Sequence, residues 1–289
     1  MLSIFTIAGR IDAPGCNLQQ PDFDSERNNL SFRIPTPVFG DGLIENIPES
    51  TILANRDANK GQKNALGISG QENRSGQDGM ITRFGWKAQV ESAMMFSGQA
   101  YNVEMGVTNE LFPNERDQAK KCQFSNLPED HPDFEGGVSG VQNFTNFMRL
   151  VAPALPAADT PSIVRGRNQF DKIGCTLCHT PSMKTGPSDI VALANRPVNL
   201  YSDLLLHKMG SGLEDRITQG RAGEQEFRTA PLWGLGQRIF FLHDGRTRNL
   251  VDAVRAHKSA GSEANEVINL FEQLSSSLKQ DLLNFLRSL

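Results

Sequence analysis

Cys175, Cys178 and His179 stand in the run Gly174-Cys-Thr-Leu-Cys-His, two cysteines separated by two residues and followed at once by histidine. Residues three apart lie within about one helical turn, so both sulfurs can reach the two vinyl positions on one edge of a haem while the adjacent imidazole addresses the iron. The pattern is that of c-type haem attachment. It implies one covalent haem c per chain, with His179 as an iron ligand. Two other uses of C-x-x-C are weaker. A structural zinc module needs further ligands, and only Cys16, Cys122 and scattered histidines remain to supply them. A thioredoxin-like dithiol needs a β-α-β context that does not precede Cys175, and it leaves the histidine unexplained.

The second axial position decides what such a haem does, because a strong ligand favours electron transfer whereas an open site admits peroxide or oxygen. Candidates are His207 and Met209 in YSDLLLHKMGSG, His243 in FFLHDGR and His257 in LVDAVRAHKSAG. Met209 suits a high-potential centre. His257 closes a predicted helix over 250–257 on which Val251 and Val254 mark an apolar face. Periodicity alone does not choose between them. His131 is expected in a surface loop.

Helices must hold this motif in place. Thr160 and Pro161 suit the N-cap and first position of a helix with Ile163, Gly166, Phe170 and Ile173 on one face, leading directly to Cys175. Gly166 and Phe170 have the small and aromatic character expected beside a haem. Near the C-terminus Ser277 and Gln280 read as a capping box ahead of a stripe of Leu278, Leu282, Phe285 and Leu289. Helical character also appears in VQNFTNFMRLVA, and a short helix is predicted over 87–97, ended by Gly98. Residues 1–80 and 113–140 are rich in turn formers and read as mostly irregular. PALPAADTP is the best linker, with a boundary near Pro156. Strand-like alternation is scarce, so the expectation is a mainly α protein with long ordered loops.

With 289 residues, of which 38% are hydrophobic, the chain can fill a core. Its formal net charge of −4 comes without a basic block, which argues against nucleic acid. No apolar run approaches the roughly 18 residues of a membrane-spanning helix. The opening MLSIFTIAGRIDAPGC lacks a basic n-region and a cleavage site. Because thioether attachment takes place outside the cytoplasm, an upstream segment is expected to have been lost. Cys16 and Cys122 could form a disulfide or stay unpaired, and spacing does not settle which.

The stretches FRIPTPVFGDGLIENIPE, RFGWKAQ, YNVEMGVTNELFPNE, GCTLCHTP, SDLLLHKMG, EFRTAPLWGLGQRIFFLHDGR and LLNFLRSL span nearly the whole chain. Together they resemble the di-haem oxidoreductase family, a peroxidase-like group related to bacterial di-haem cytochrome c peroxidases. The resemblance implies a C-terminal cytochrome c-like haem domain over 156–289. Before it, residues 1–155 would be a loop-rich, incomplete remnant of a second cytochrome-like domain. It places the distal ligand on His257, implying a bis-histidine iron of lower potential, with Met209 as the alternative. It makes Glu104 an acid/base of the peroxidatic pocket and sets Arg228, Trp233, His243 and Arg246 around the haem, with Trp86 as a further candidate. The sequence departs from the family in having no first C-x-x-C-H, and in carrying Met94 and Gly98 where a glutamine and a proline are expected. The implied protein is the C-terminal portion of a longer, periplasmic di-haem protein working in electron transfer. Its partner is a small redox protein or a peroxide-type molecule, and the full-length form would be an active peroxidase or substrate oxidase.

Overall fold

The computed structural model describes residues 14–16, 22–116, 119–123, 127–132, 134 and 136–289. Among these, helices dominate and strands are short. The first half, expected to be irregular up to residue 80, contains α1 (Asp41–Glu45), which buries Ile44, α2 (Glu49–Asp57), which buries Ile52, and α3 (Lys60–Leu66). Their brevity defeats a periodicity search, which needs three or more turns to register. A two-residue hairpin, β1 (Asn73–Arg74) with β2 (Ile81–Thr82), then leads toward α4 (Ala93–Met105).

α4 begins later and runs further than the sequence suggests. Ser92 caps it, accepting from the Met95 N–H at 3.1 Å, and Gly98 lies inside rather than at its end. The glycine is retained by packing: a Cβ there would lie 2.9 Å from the Leu111 side chain. α5 (Gly140–Leu150) follows as expected and packs on α4. Residues 151–160 carry no helix or strand and are largely exposed.

α6 (Pro161–Lys172) starts on Thr160, whose hydroxyl accepts from the Ile163 N–H at 3.3 Å. Past the motif come the hairpins β3 (Met183–Lys184) with β4 (Pro197–Val198), and β5 (Leu206–Lys208) with β6 (Glu226–Arg228). α7 (Leu250–Arg255), α8 (Asn265–Gln273) and α9 (Ser276–Ser288) complete the chain. α9 is capped by Ser275, not Ser277, because Ser275 Oγ accepts from the Leu278 N–H. Ser277 instead lies exposed in the first turn. His257 falls beyond the end of α7, two residues past the helix that was expected to contain it.

The crossing of α6 over α9 sets the frame of the haem motif. At Gly166 a Cβ would sit 2.0 Å from the Asp281 carbonyl oxygen and 2.8 Å from Phe285 Cβ, so only hydrogen fits. Gly166 therefore serves the helix crossing, not a haem contact as anticipated, while Phe170 one turn on packs edge-on to Phe285 at 5.4 Å. Asp281 holds the crossing from its side, accepting from Ser162 Oγ at 2.6 Å and Arg165 Nε at 2.8 Å.

Among the described residues the two apolar clusters with the most buried members are these. One joins α6, α8 and α9 through Ile163, Phe170, Phe271, Leu282 and Phe285. The other joins Ile44, Ile52 and Ile81 to Leu200, Leu205 and Trp233. The second draws on both sides of residue 156, so the two halves share a core. Fully buried Lys87 ties them further: its ammonium donates to the carbonyls of Gly223 at 2.8 Å and Glu226 at 3.0 Å and meets Asp215 at 3.0 Å. Burial pushes the Lys87 ammonium down, opposed by Asp215. Cys16 and Cys122 form a disulfide with Cα atoms 4.7 Å apart, resolving the alternative left open by spacing.

Candidate functional site

A cavity of about 220 Å³ opens between the motif, α7, α8 and the β5–β6 hairpin. Cys175, Cys178 and His179 line it together with His207, Met209, His243 and His257. Residues separated by up to 82 positions are thereby gathered around one apolar space whose other walls include Phe170, Phe241, Val254 and Val267.

The motif itself turns tightly. Gly174 sits at φ +94°, a conformation that disfavours any side chain, and releases the chain from α6 into a 3₁₀ turn over Cys175–Leu177. Both motif thiols are free. Burial, and then the neighbouring Cys178, pushes the Cys175 thiol up to about 12.

The imidazoles of His179 and His257 are set alike. His179 Nδ1 lies 2.9 Å from the Tyr201 carbonyl oxygen and His257 Nδ1 lies 2.8 Å from that of Ala253. A carbonyl oxygen only accepts, so each Nδ1 carries the proton and each Nε2 keeps its lone pair, the state a metal needs. Burial pushes His179 down to about 4 despite the Tyr201 hydrogen bond, with His257 acting in the same direction as burial. His257 is also lowered by burial. Tyr201 presents its carbonyl from a backbone φ of +50°, a left-handed conformation that costs a non-glycine residue about 1 kcal/mol. No sequence signal marked Tyr201.

His207 is different. Its Nε2 lies 2.8 Å from Asp203 Oδ2 and its Nδ1 2.8 Å from Glu263 Oε2, with Cys178 Sγ at 3.6 Å. Both nitrogens meet carboxylates, so both donate and the ring is an imidazolium. Burial opposes that charge, but Cys178 and Asp203 hold His207 well above its ordinary value. Glu263, desolvated yet paired with His207 and Ser69, is held down at about 2. A ring occupied on both nitrogens has no lone pair for a metal. The Asp203–His207–Glu263 group escaped the sequence reading because only its middle residue looked like a ligand.

The other anticipated residues divide. His243 lines the cavity, its ring stacked on Phe227 at 4.3 Å and edge-on to Trp86 at 6.4 Å. Trp86 lines it too, its indole N–H donating to the Ile34 carbonyl at 2.7 Å. Arg228 is buried in the wall, donating from Nε to the Gly85 carbonyl at 2.9 Å. Trp233 is buried outside this lining, beside a smaller second cavity. Arg246 lies at the surface, paired with Asp244. Both were expected around the haem, and neither lines this cavity. Glu104 stands exposed at the end of α4, away from the cavity lining. Met94 faces Thr145 of α5, with 3.3 Å between sulfur and hydroxyl, and His131 is at the surface.

Two thiols and two Nδ1-protonated imidazoles thus border one apolar cavity, and a family model described as "Di-haem oxidoreductase, putative peroxidase" matches residues 3–289. The chain belongs to the di-haem oxidoreductase family. Among curated proteins, none matches it. Seven solved chains do. A MauG-like protein associated with microbial copper homeostasis is 15% identical, with 90% of this chain and 93% of the other aligned at a TM-score of 0.43. A hydrazine synthase from Kuenenia stuttgartiensis is likewise 15% identical, with 93% of each chain aligned at a TM-score of 0.40. Family membership carries haem as the cofactor and a peroxidase-like oxidoreductase as the class. No helix among the described residues is long and apolar enough to cross a membrane.

Proposed function

We propose that this di-haem oxidoreductase family member carries a haem c in the cavity, attached through Cys175 and Cys178 and ligated by His179 and His257, and that it transfers electrons within a peroxidase-like system. The observation that carries the reading is the matched setting of the two histidines. Each is tied through Nδ1 to a backbone carbonyl, leaving both Nε2 atoms available in the space that the two thiols also border. Met209 borders the same cavity and is the alternative ligand, but its thioether packs among Trp86, Leu213 and Phe227 without an orienting partner.

The donor set fits haem better than zinc. Among the described residues no group of three or more His, Cys, Asp or Glu side chains has metal-holding geometry, and the cavity is wide and apolar where a zinc site is small and closed. Haem bound here supplies a one-electron centre. The chain's own residues orient its ligands through Tyr201 and Ala253, exclude water with Phe170, Phe241 and Leu250, and set the buried His243 and Trp86 in the cavity wall, where an aromatic path toward a partner would start.

The halves 1–155 and 156–289 are proposed as the remnant of a first haem unit and the haem-bearing unit. Glu104, lying in the first, would then serve a haem other than the one held by His179. Peroxidase or substrate oxidase activity belongs to the form with both haems, and the partner is a small redox protein or a peroxide-type molecule. The Cys16–Cys122 disulfide supports a periplasmic location, because disulfides persist in oxidising compartments.

The test is a pyridine haemochrome assay combined with intact mass. One covalent haem per chain supports the proposal. A colourless protein, or a haem lost on denaturation, refutes it.

A further inference from the structure

Beside the large cavity lies a second of about 20 Å³, bordered by Asp41, Phe84, Trp86, Arg228, Trp233 and Arg238 among others. Trp86, Arg228 and Arg238 also line the large cavity, so these residues stand between the two spaces. Three buried polar atoms around this wall have no partner: Asp41 Oδ2, Arg228 Nη1 and Arg238 Nε. An orphaned buried donor or acceptor costs about 1–3 kcal/mol, and more when charged. The two arginines each keep an unpartnered donor at one wall, which suits an anion, and the Asp41 carboxyl is compatible with that anion as the neutral acid. The anionic part of a haem is its propionates.

We propose that Arg228 and Arg238 bind one haem propionate and that Asp41, across the same wall, is a carboxyl that gains and loses a proton in step with the charge held there. The inference rests on the reading that the large cavity holds haem. Arg228 donates from Nε to the Gly85 carbonyl, which fixes the guanidinium and leaves Nη1 for a second acceptor. Arg238 has no opposing carboxylate, burial alone lowering its value. On α1 itself the neighbouring acid is Glu45, already engaged by Arg149 of α5 at 2.6 Å and by the Ala93 N–H of α4 at 2.9 Å. Asp41 thus faces Arg228 from β6 and Glu45 from its own helix, with Arg238 across the small cavity.

Burial pushes the Asp41 carboxyl up to about 8, with Arg228 pulling the other way and Glu45 adding to the rise. A propionate on the two arginines adds a second negative charge and favours the protonated form further. The proton comes from solvent and the electron from an external one-electron donor. When the site accepts that electron, the added negative charge favours Asp41 as the neutral acid. The potential therefore falls as pH rises through the range where Asp41 ionises.

The experiment is a spectroelectrochemical titration of the purified holoprotein from about pH 6 to about pH 10, spanning the ionisation of a carboxyl raised by burial. Haem content is measured first by pyridine haemochrome. The wild-type potential is expected to fall with rising pH, that of Asp41→Asn to stay flat, and that of Arg238→Gln to lie below wild type throughout. An unchanged slope in Asp41→Asn, or an unchanged potential in Arg238→Gln, overturns the inference while leaving the haem reading intact. Absent haem overturns the haem reading. Should Asp41→Asn fail to fold, the reduced-minus-oxidised infrared difference spectrum of the wild type decides: a deuterium-sensitive carboxylic C=O band supports the inference, and its absence overturns it.

Discussion

Replacing Gly166 with alanine adds one methyl group where α6 crosses α9, and the structure specifies what that methyl meets. It would stand 2.0 Å from the Asp281 carbonyl oxygen, whereas ordinary contact begins at 3.4 Å, so the helices must part by about 1.4 Å. The obstacle is backbone on the opposing helix, which cannot rotate aside. Overpacking of this kind costs about 3 kcal/mol at the upper end of the usual range. The helix propensity of alanine over glycine offsets about 1 kcal/mol. A net loss of about 2 kcal/mol corresponds to a fall of roughly 5 °C in a domain of this size. The assay is thermal unfolding followed by far-ultraviolet circular dichroism on haem-matched samples. Gly61→Ala in α3 is the control, because nothing lies within 4 Å of a Cβ there and α3 should gain about 0.5 kcal/mol. A Gly166→Ala midpoint equal to or above wild type, with the control behaving as stated, would refute the argument that this crossing demands glycine.

His257→Ala should convert the iron from low to high spin in the visible spectrum, whereas an unchanged spectrum moves the ligand assignment to Met209. Cys175→Ser with Cys178→Ser should leave no haem on the polypeptide after acid-acetone extraction, and retained covalent haem contradicts the attachment sites. Cys122→Ser opens a loop of 106 residues, and loss of that constraint should lower stability by about 3 kcal/mol in denaturant unfolding; no change would mean that the disulfide constrains nothing. The Glu263 carboxyl has a folded value near 2 against an ordinary 4.5. Its folded value being the lower, its contribution is present above about pH 4.5 and disappears as pH falls toward 2, amounting to about 3 kcal/mol. Acid unfolding should lose that component in Glu263→Gln, and an identical acid limb in the variant would dismiss the His207 pairing as a source of stability.

Much of the site was legible because its signals are local. Cys175, Cys178 and His179 share one turn, and Thr160 with Pro161 announces the helix that delivers them. Gly166 was singled out correctly but for another purpose, since sequence cannot tell which neighbour a small residue admits. α1 to α3 were missed because each is too short to develop a periodic face; α1 and α2 are held by burial of Ile44 and Ile52. Trp233 and Arg246 stand outside the lining of the large cavity, because which side chains border it depends on long-range packing that a family resemblance does not specify.

The sequence by itself determined the haem motif, the helix ahead of it, the family and the short set of possible axial ligands, because covalent spacing and capping act over a few bonds. Tertiary structure alone decided that Tyr201 and Ala253 leave the Nε2 atoms of His179 and His257 free, that two carboxylates occupy both nitrogens of His207, and that Asp41 lies beside Arg228. These depend on which carbonyl or carboxylate folding brings within hydrogen-bond distance of a ring or guanidinium many residues away, and no local pattern of residues encodes that meeting.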